Sequence, residues 1–335
     1  MIIWLPLESL EIRYTAQWAK WYIQEFNRIG IEFATVEGSA LTSDIEVGSV
    51  LDAYGTNFYK FTQLSKLIRK MRRGQITSKD TLLVADLWYP GIEALEYIAC
   101  LGGHRPKITG ILHAGTWDPN DFTYRQKMRP WGHMLEECWL QMFDMIFVGT
   151  QYHKDLILKN HNVPEQKIIV TGLPFYPEEF TASRQGMPKE DLIAFPHRLD
   201  EEKHPEQFDA LIKELEKYDI CSIKTAEQFT TKSAYYDTLA RAKISVSCAS
   251  QETFGYAMLE SVALGCIPFV PDALSYQELF PEEFRYRTFS ELRDKVISAL
   301  TDPNIGFKAR DLAGLHKKEF SKSIQTMIEK VLTIS

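Results

Sequence analysis

Short apolar runs alternate with amphipathic stretches along most of the 335-residue chain, and this alternation predicts an α/β fold with parallel sheets. The apolar runs predict strands at residues 2–5, 32–36, 81–85, 107–112, 145–148, 167–171, 192–196, 220–224, 244–247 and 267–270. Apolar positions at helical spacing predict helices at 15–29, 58–72, 92–101, 131–143, 205–218, 233–241, 256–264, 290–300 and 307–334. Doubly wound sheets of this kind bind ligands in the loops at the carboxyl ends of their strands.

A break in the alternation divides the chain near residues 172–190. The segments Gly172-Leu-Pro-Phe-Tyr-Pro177 and Arg184-Gln-Gly-Met-Pro188 are rich in turn-forming residues, as a connection between domains would be. The length also suits two domains of roughly 150 residues each. We therefore predict two doubly wound domains, with the boundary between residues 172 and 173.

Composition and charge exclude several classes of protein. With 45% hydrophobic and 25% charged residues, the chain is neither collagen-like nor disordered. The net charge of −7 argues against passive coating of nucleic acid, although it leaves room for a local basic strip. Residues 1–7 lack the basic start and long apolar stretch of a secretory signal. Five scattered cysteines without a C-x-x-C pair predict buried free thiols, and a cytoplasmic protein follows: Cys100, Cys138, Cys221, Cys248 and Cys266.

The most informative segment runs from Ser247 to Pro268 and carries two glutamates around a glycine. A buried strand ends, a loop carries Glu252, and Gly255 begins a helix that holds Glu260. Glycine allows a ligand to approach the backbone closely, and the helix start offers free N–H groups to a phosphate. The two carboxylates would then grip hydroxyl groups on either side of a pyrophosphate. The alternative is a capped helix with two solvated acids.

A second segment, Phe195-Pro-His-Arg198-Leu-Asp-Glu-Glu-Lys203-His-Pro205, places two cations between a strand and a helix. The guanidinium of Arg198 presents a planar fork to phosphate oxygens, and Lys203 adds a compact point charge. The alternative is a solvated turn.

Together these segments resemble the donor site of retaining GT-B glycosyltransferases of the sucrose-synthase and mannosyltransferase type, family four. Glu252 and Glu260 match the family's E-x7-E motif, and Arg198 and Lys203 match R-x4-K. The resemblance covers about residues 144–272 and is weak over the first half. It implies the GT-B fold, in which two Rossmann-like α/β domains face each other across a cleft. The acceptor-binding domain would cover 1–172, the nucleotide-sugar domain 173–306, and a helix at 307–335 would cross back to the first domain.

The resemblance also implies roles for individual residues. Arg198 and Lys203 would hold the pyrophosphate, Glu260 the ribose hydroxyls, and Glu252 the donor sugar. Backbone amides of Phe254 and Gly255 would assist Glu252, and the implied donor set is Arg198, Lys203, Glu252, Thr253, Phe254, Gly255, Tyr256 and Glu260. Retention is assigned in this family to front-face attack, with the leaving phosphate deprotonating the acceptor. No D-x-D motif is present, so we expect neither metal nor cofactor, only a nucleotide-diphosphate-sugar, with a UDP-sugar as one candidate.

Two positions in the first half complete the predicted site. His113 follows a strand where the family has a histidine facing the donor sugar, and it joins Arg198, Lys203 and Glu252 in the predicted catalytic set. The alternative is an ordinary histidine at a strand end. The family's Gly-Gly loop is missing after the first strand, where Arg13 is a candidate contact for phosphate or acceptor.

Two basic strips in the first half bear on the acceptor. One is Lys66-Leu-Ile-Arg69-Lys-Met-Arg72-Arg73, and the other interleaves cations with aromatic residues in Tyr124-Arg-Gln-Lys127-Met-Arg129-Pro-Trp131. Such strips suit a nucleic-acid backbone and base stacking, so the predicted acceptor contacts are Arg13, Arg69, Arg72, Arg73, Arg125 and Arg129. The alternatives are solvated helix faces and docking to an anionic membrane without stable insertion.

Residues 4–18 resemble, more loosely, the start of glycosyltransferase-like proteins of tailed phages. This favours a hydroxymethylated pyrimidine in phage DNA as the acceptor, modified in the host cytoplasm. A lipid, glycan, tRNA or small metabolite is the alternative acceptor. Two further hypotheses are a non-enzymatic sugar-nucleotide-binding protein and a sugar-nucleotide epimerase.

Overall fold

The computed structural model describes residues 1–9, 14–41, 52–229 and 231–334. The chain divides into two compact units, one formed by Met1–Pro174 with Ser323–Ser335 and the other by Phe175–Lys322. Within the described residues, no helix combines the length and the apolar character that crossing a membrane requires.

The first unit is built on a parallel sheet with the strand order β2-β1-β3-β4-β5-β6 in the described part of the chain. Its strands are β1 (Ile2–Leu5), β2 (Phe33–Thr35), β3 (Thr81–Val84), β4 (Lys107–Ile111), β5 (Met145–Val148) and β6 (Ile168–Val170). The helices are α1 (Tyr14–Ile29), α2 (Gly55–Arg72), α3 (Ala94–Cys100), α4 (Phe122–Arg125), α5 (Arg129–Met142) and α6 (Gln151–Asn160). The predicted strands of the first half are confirmed, with ends that shift by one or two residues.

The inner strands of this sheet are covered on both faces, which explains their continuous apolar sequence. All residues of β1 and β3 are buried. Trp4 of β1 stacks on Tyr22 of α1 with ring centroids 4.0 Å apart. Helix α6 was not predicted, because its polar sequence lacks a clear apolar stripe. Its start is set instead by Thr150, whose side chain accepts a hydrogen bond from the backbone N–H of His153.

The second unit has a parallel sheet with the order β11-β10-β9-β7-β8 among the described residues. Its strands are β7 (Glu190–Phe195), β8 (Cys221–Lys224), β9 (Ala242–Val246), β10 (Ile267–Pro271) and β11 (Arg285–Tyr286). Its helices are α7 (Glu178–Thr181), α8 (Pro205–Leu215), α9 (Thr225–Gln228), α10 (Lys232–Arg241), α11 (Tyr256–Ala263), α12 (Tyr276–Leu279), α13 (Phe289–Thr301) and α14 (Pro303–Phe320). The two-residue strand β11 was not predicted, because two residues carry no periodicity.

The predicted single helix at 307–334 is wrong, since the chain forms α14 and then α15 (Ser323–Thr333). Residues 307–322 belong to the second unit, where Phe320 of α14 packs edge-on against Phe254 with ring centroids 4.9 Å apart. Helix α15 belongs to the first unit, where the hydroxyl of Ser323 donates to the carbonyl of Leu173. The helix has to break because its two halves bury apolar side chains in different cores.

The prediction of buried thiols is correct for two cysteines and wrong for three. Cys248 and Cys266 are buried, and burial raises their thiol pKa values to about 12 and about 11. The exposed thiols are Cys100, Cys138 and Cys221. They stand on helix surfaces and on the edge strand β8, where the alternation of apolar residues does not reveal which face is covered.

Candidate functional site

The strand order places two loops at the topological switch point of the second sheet. β7 and β9 are neighbours, yet β7 also pairs with β8 on one side while β9 pairs with β10 on the other. The loops that follow them, residues 196–204 and 247–255, therefore leave the sheet in opposite directions and open a crevice. Ligands of doubly wound sheets bind at this position. We call these segments the basic loop and the acid loop.

The two loops are tied together by hydrogen bonds. The backbone N–H of Ser250 donates to the carbonyl of Glu202 over 2.8 Å. The ammonium group of Lys203 donates to the carbonyl of Gln251 over 2.5 Å. These bonds join parts of the chain that are almost 50 residues apart, so the site does not depend on either loop alone.

Lys203 and Glu252 form an ion pair in this crevice. The Lys203 ammonium lies 3.4 Å from a carboxylate oxygen of Glu252, and only 7% of the lysine side chain and 18% of the glutamate side chain are exposed. Burial raises the pKa of Glu252, but Lys203, His197 and backbone N–H groups at Gly255 and Phe254 outweigh it and hold the pKa below its usual value. Glu252 is therefore a carboxylate at neutral pH.

Gly255 precedes the first residue of α11 and has a backbone φ of +81°, a conformation that residues other than glycine rarely adopt. A β-carbon there would lie 3.0 Å from a ring carbon of Tyr276, whose hydroxyl is held 2.9 Å from that of Ser247. Phe254 is buried, so it would meet a ligand through its backbone, and Thr253 and Tyr256 are partly buried beside it. The structure thus requires glycine at the position that the sequence singled out.

Glu260 lies in the first turns of the same helix but has a separate set of partners from α10. Its carboxylate accepts hydrogen bonds from the hydroxyls of Tyr236 at 2.8 Å and Tyr235 at 3.0 Å. The ammonium group of Lys232 lies 2.8 Å away. These three residues were not predicted, because nothing in the segment Lys232-Ser-Ala-Tyr235-Tyr236 indicates which helix it will face.

Arg198 is placed differently from Lys203. Its side chain is 46% exposed and pairs with Asp200 at 2.8 Å and with Glu202 at 3.6 Å. Acidic residues of the basic loop thus neutralise Arg198. A phosphate would have to displace Asp200 and Glu202 from the guanidinium in order to bind Arg198. The role of Arg198 stays a prediction.

His197 is a residue that the sequence analysis missed. It is 4% exposed, and its Nε2 has no hydrogen-bond partner among the described residues. Burial lowers the pKa of His197 to about 3, with further lowering by the nearby charges of Lys203 and Arg198. The signal that could have revealed it is its position as the first polar side chain after the apolar strand β7.

The depressed pKa of His197 predicts acid sensitivity of the second unit. The unfolded chain gains a proton at this residue near pH 6.5, whereas the folded chain does so only at about pH 3. Protons therefore favour the unfolded state between these values, and stability falls as the pH is lowered. We expect His197→Gln to remove up to about 1.4 kcal/mol per pH unit from the slope of the free energy of unfolding. Urea unfolding between about pH 7 and about pH 4.5 measures the slope. An unchanged slope would contradict the prediction, and replacement of the exposed His104 is the control.

In the first unit, the predicted His113 lies at the carboxyl end of β4. Its Nε2–H donates to the carbonyl of Ala85 over 2.8 Å, which engages one ring nitrogen within the fold. Burial lowers the pKa of His113, and this is only partly offset by Asp86. Asp86 forms an ion pair at 2.7 Å with Lys60, a pair that the sequence analysis missed. The catalytic role of His113 stays a prediction.

The predicted acceptor contacts fall into two groups. Arg69, Arg72 and Arg73 are exposed at the carboxyl end of α2, just before β3 begins, and hence toward the amino-terminal edge of the sheet. The other group lies where α4 leads into α5, after the carboxyl end of β4. There the guanidinium of Arg129 stands over the ring of Tyr124, 5.4 Å from its centroid, and Arg125 is partly buried. Arg13 lies outside the described residues.

Trp131, at the start of α5, extends this second group. It is 43% exposed and meets Trp88 of the β3–α3 loop edge-on with ring centroids 6.2 Å apart. Tyr124 is also exposed at 36%. We call Tyr124, Arg129, Trp131 and Trp88 the aromatic platform. Aromatic faces beside a guanidinium are the surface on which nucleobases stack.

A wide cavity of about 850 Å³ also lies in the second unit, lined by Lys189, Leu264 and Asp302 among others. It adjoins the amino-terminal ends of β7, β9 and β10, the edge opposite the two loops. The Lys189 ammonium is fully used by the carbonyls of Leu239, Ala242 and Leu264. We therefore do not take this cavity as the candidate site.

Comparison with known proteins bears on the fold. No family model matches the chain. The tRNA-queuosine alpha-mannosyltransferase of Drosophila melanogaster is 39% identical over 77 residues, which are 23% of this chain. The aligned segment spans 20% of the length of that curated relative.

Among solved structures, the sucrose-phosphate synthase from Thermosynechococcus elongatus matches with a TM-score of 0.69 at 12% identity, covering 100% of this chain and 99% of that one. An Anabaena protein solved in complex with UDP and glucose matches with a TM-score of 0.63 at 13% identity, covering 100% and 99%. Likeness at this identity establishes the fold alone. The predicted GT-B fold class is confirmed: the described chain has two Rossmann-like units with parallel sheets and shares the fold of these solved structures.

Proposed function

We propose that the protein is a retaining glycosyltransferase that moves a sugar from a nucleotide-diphosphate-sugar to a hydroxyl group on a modified base of tRNA. The observation that supports binding of the nucleotide-sugar donor is the Lys203–Glu252 ion pair, which lies at the switch point of the second sheet. A buried cation beside a carboxylate offers one group for a pyrophosphate and another for sugar hydroxyls.

The donor would bind with its pyrophosphate between Lys203 and the start of α11. The ammonium group of Lys203 and the positive end of that helix would neutralise the phosphate charge. Glu252 would accept hydrogen bonds from the sugar, and Glu260 would accept them from the ribose. The solved Anabaena relative was crystallised with UDP and glucose, which supports a nucleotide and a sugar as ligands of this fold.

In the proposed step, the acceptor oxygen attacks C1 of the sugar from the face that the diphosphate leaves. The C1–O bond to the phosphate breaks with its electron pair on the leaving oxygen, and the acceptor proton passes to that phosphate. Positive charge preorganised at Lys203 stabilises the leaving group, which is where electrostatic catalysis gains most. The step needs no divalent metal at the donor, because the lysine and the helix start carry the compensating charge.

The acceptor is argued from the aromatic platform and from the curated relative. The platform supplies stacking surfaces with a cation, as single-stranded or splayed nucleobases require. The relative that is 39% identical over 77 residues is a tRNA mannosyltransferase by name. This favours tRNA over the hydroxymethylated DNA base predicted from the sequence, and it makes mannose the first sugar to test.

The test is an assay with purified protein, a panel of nucleotide-sugars and two acceptors, tRNA with its natural modifications and hydroxymethylated DNA. Nuclease digestion followed by mass spectrometry identifies any glycosylated nucleoside, and NMR of the product reports the anomeric configuration. Transfer to tRNA with retention, without added divalent metal, is the expected result. Transfer to DNA alone would overturn the tRNA proposal. Donor binding without turnover on either acceptor would favour a sugar-nucleotide-binding protein.

Replacing Trp131 by alanine is expected to weaken tRNA binding about tenfold, since one stacked base contributes roughly 1–3 kcal/mol. Donor affinity should not change, because Trp131 is not among the residues proposed to hold the donor. Filter binding of tRNA at fixed salt measures the effect. Met134, exposed one turn further along α5, provides the matched control as Met134→Ala. Equal losses in both variants would contradict a specific stacking role.

A further inference from the structure

A cluster of two histidines and a glutamate lies in the first unit. None of the three residues has a role in the proposed sugar transfer. His133 and Glu137 are four residues apart on α5 and so share one face of the helix. His161 directly follows α6. One ligand atom from each of the three lies within 4.8 Å of the other two. The exposures are graded, with His161 buried and His133 and Glu137 partly open to solvent.

Two buried ring nitrogens of the cluster have no hydrogen-bond partner among the described residues, Nδ1 of His133 and Nε2 of His161. The rings of His133 and His161 stack with centroids 4.7 Å apart, which brings two basic groups face to face. The Nδ1 of His161 lies 2.6 Å from a carboxylate oxygen of Glu137. Nitrogen and carboxylate lone pairs thus converge on one point.

A second carboxylate behind His161 resembles the outer shell of metal sites. Glu136 is 2% exposed, and one of its oxygens lies 3.5 Å from Nε2 of His161, an ion-pair distance that a small rotation of the ring would shorten to a hydrogen bond. Its position is fixed by hydrogen bonds from the hydroxyl of Thr116 at 2.6 Å and from the indole of Trp88 at 2.9 Å. Histidines that bind metal almost always direct their other N–H to a carboxylate of this kind, which aims the free nitrogen at the ion.

We propose that His133, Glu137 and His161 bind a Zn²⁺ ion, with Glu136 as the outer carboxylate that orients His161. Two imidazoles and a carboxylate are a ligand set that zinc accepts at about 2.0–2.2 Å, with water in the fourth position. In a tetrahedral Zn²⁺ site with bonds of about 2.0–2.2 Å, the ligand atoms lie roughly 3.3–3.6 Å apart. The 2.6 Å contact between His161 and Glu137 therefore has to widen, and the remaining ligand-atom separations, all within 4.8 Å, have to adjust, which the partly exposed His133 and Glu137 permit. Hard cations such as Mg²⁺ prefer oxygen ligands and fit this set less well.

The position of the site suggests what the ion does. Glu136 connects it to Trp88, after β3, and to Thr116, after β4, and the ring of Trp117 meets His161 edge-on at 5.4 Å. The ion would therefore hold the two loops at the carboxyl edge of the first sheet and, through Trp88, the aromatic platform. In this proposal the ion positions these loops and takes no part in the proposed sugar transfer.

The experiment measures metal affinity of the full-length chain after removal of bound metal with a chelator. We expect one equivalent of Zn²⁺ by competition with a chromophoric chelator, and Co²⁺ should give the visible absorption of a four-coordinate site. His133→Ala and Glu137→Gln should each weaken Zn²⁺ binding at least about tenfold, and Glu136→Gln should weaken it about 10- to 100-fold.

Two variants serve as controls. Cys138→Ser tests the exposed thiol next to Glu137 and should leave the affinity unchanged, as should replacement of the exposed His104. Failure of the wild-type chain to take up Zn²⁺ or Co²⁺ would overturn the proposal, and so would full affinity in both His133→Ala and Glu137→Gln. The readout is independent of sugar transfer, so failure here leaves the proposed function to its own test.

Discussion

Replacing Lys203 by alanine is expected to slow sugar transfer about 100- to 1,000-fold, the loss that follows removal of one preorganised charge from the site of charge development. The side chain is 7% exposed, so water cannot reach the position freely and replace the lost ammonium. Its partner Glu252 would also be left without the cation that helps to keep its pKa low. Single-turnover kinetics with saturating donor measure the chemical step directly.

Control measurements distinguish a loss of catalysis in Lys203→Ala from a loss of folded protein. Lys213→Ala is the matched control, because Lys213 is exposed on α8, the helix that follows the basic loop. The thermal midpoint and donor binding of Lys203→Ala should be recorded beside the rate. A rate within a few-fold of the wild type would remove the central residue of the proposed mechanism. If Lys203→Ala does not fold, Lys203→Arg replaces it in the test. This variant retains the charge and should recover part of the activity.

Replacing Glu260 by glutamine is expected to weaken donor binding by up to about a hundredfold. A hydrogen bond to a charged group contributes about 1.5–3 kcal/mol. The neutral amide of glutamine would lose this contribution from the hydrogen bond to the ribose hydroxyl. The carboxylate has about four acceptor positions. Tyr235 and Tyr236 each donate to one oxygen, and Lys232 contacts both, at 2.8 Å and 3.2 Å, so a ribose hydroxyl would have to replace one contact of Lys232.

A 2′-deoxy or 3′-deoxy donor turns this prediction into a double-mutant cycle. The wild type should bind the deoxy donor more weakly, whereas Glu260→Gln should bind both donors nearly alike. Tyr236→Phe is the control for indirect effects, since it removes one partner of Glu260 and leaves the carboxylate in place. If the penalty for the deoxy donor is the same in wild type and Glu260→Gln, then Glu260 only anchors α10 and does not read the ribose.

Much of the fold was predictable because the strands are buried on both faces. Continuous apolar runs such as β5 (Met145–Val148) were placed to the residue. The failures share a different cause. Helix α6 has no strong apolar stripe, β11 is too short to show periodicity, and the break after Phe320 occurs within a continuous helical pattern. Each of these depends on which core the segment joins.

The candidate site was predictable in part for the same reason. Two loops after strands were identified by residue type, and parallel strands bring such loops to one edge. Their pairing within the site was not predictable. Lys203 meets Glu252 whereas Arg198 turns to Asp200, although both cations belong to one motif. His197 and the Lys232–Tyr236 segment became part of the candidate site only through contacts between residues that are far apart in the sequence.

The order of apolar and polar residues was sufficient by itself to determine an α/β protein of two units and the loops that form its candidate site. Hydrophobic burial is a local property of the pattern, so it can be read one segment at a time. Ion pairs, orphaned ring nitrogens and the convergence of His133, Glu137 and His161 depend on distances of a few ångströms between remote segments. Those distances are set by how helices pack on sheets, and only the tertiary structure decides them.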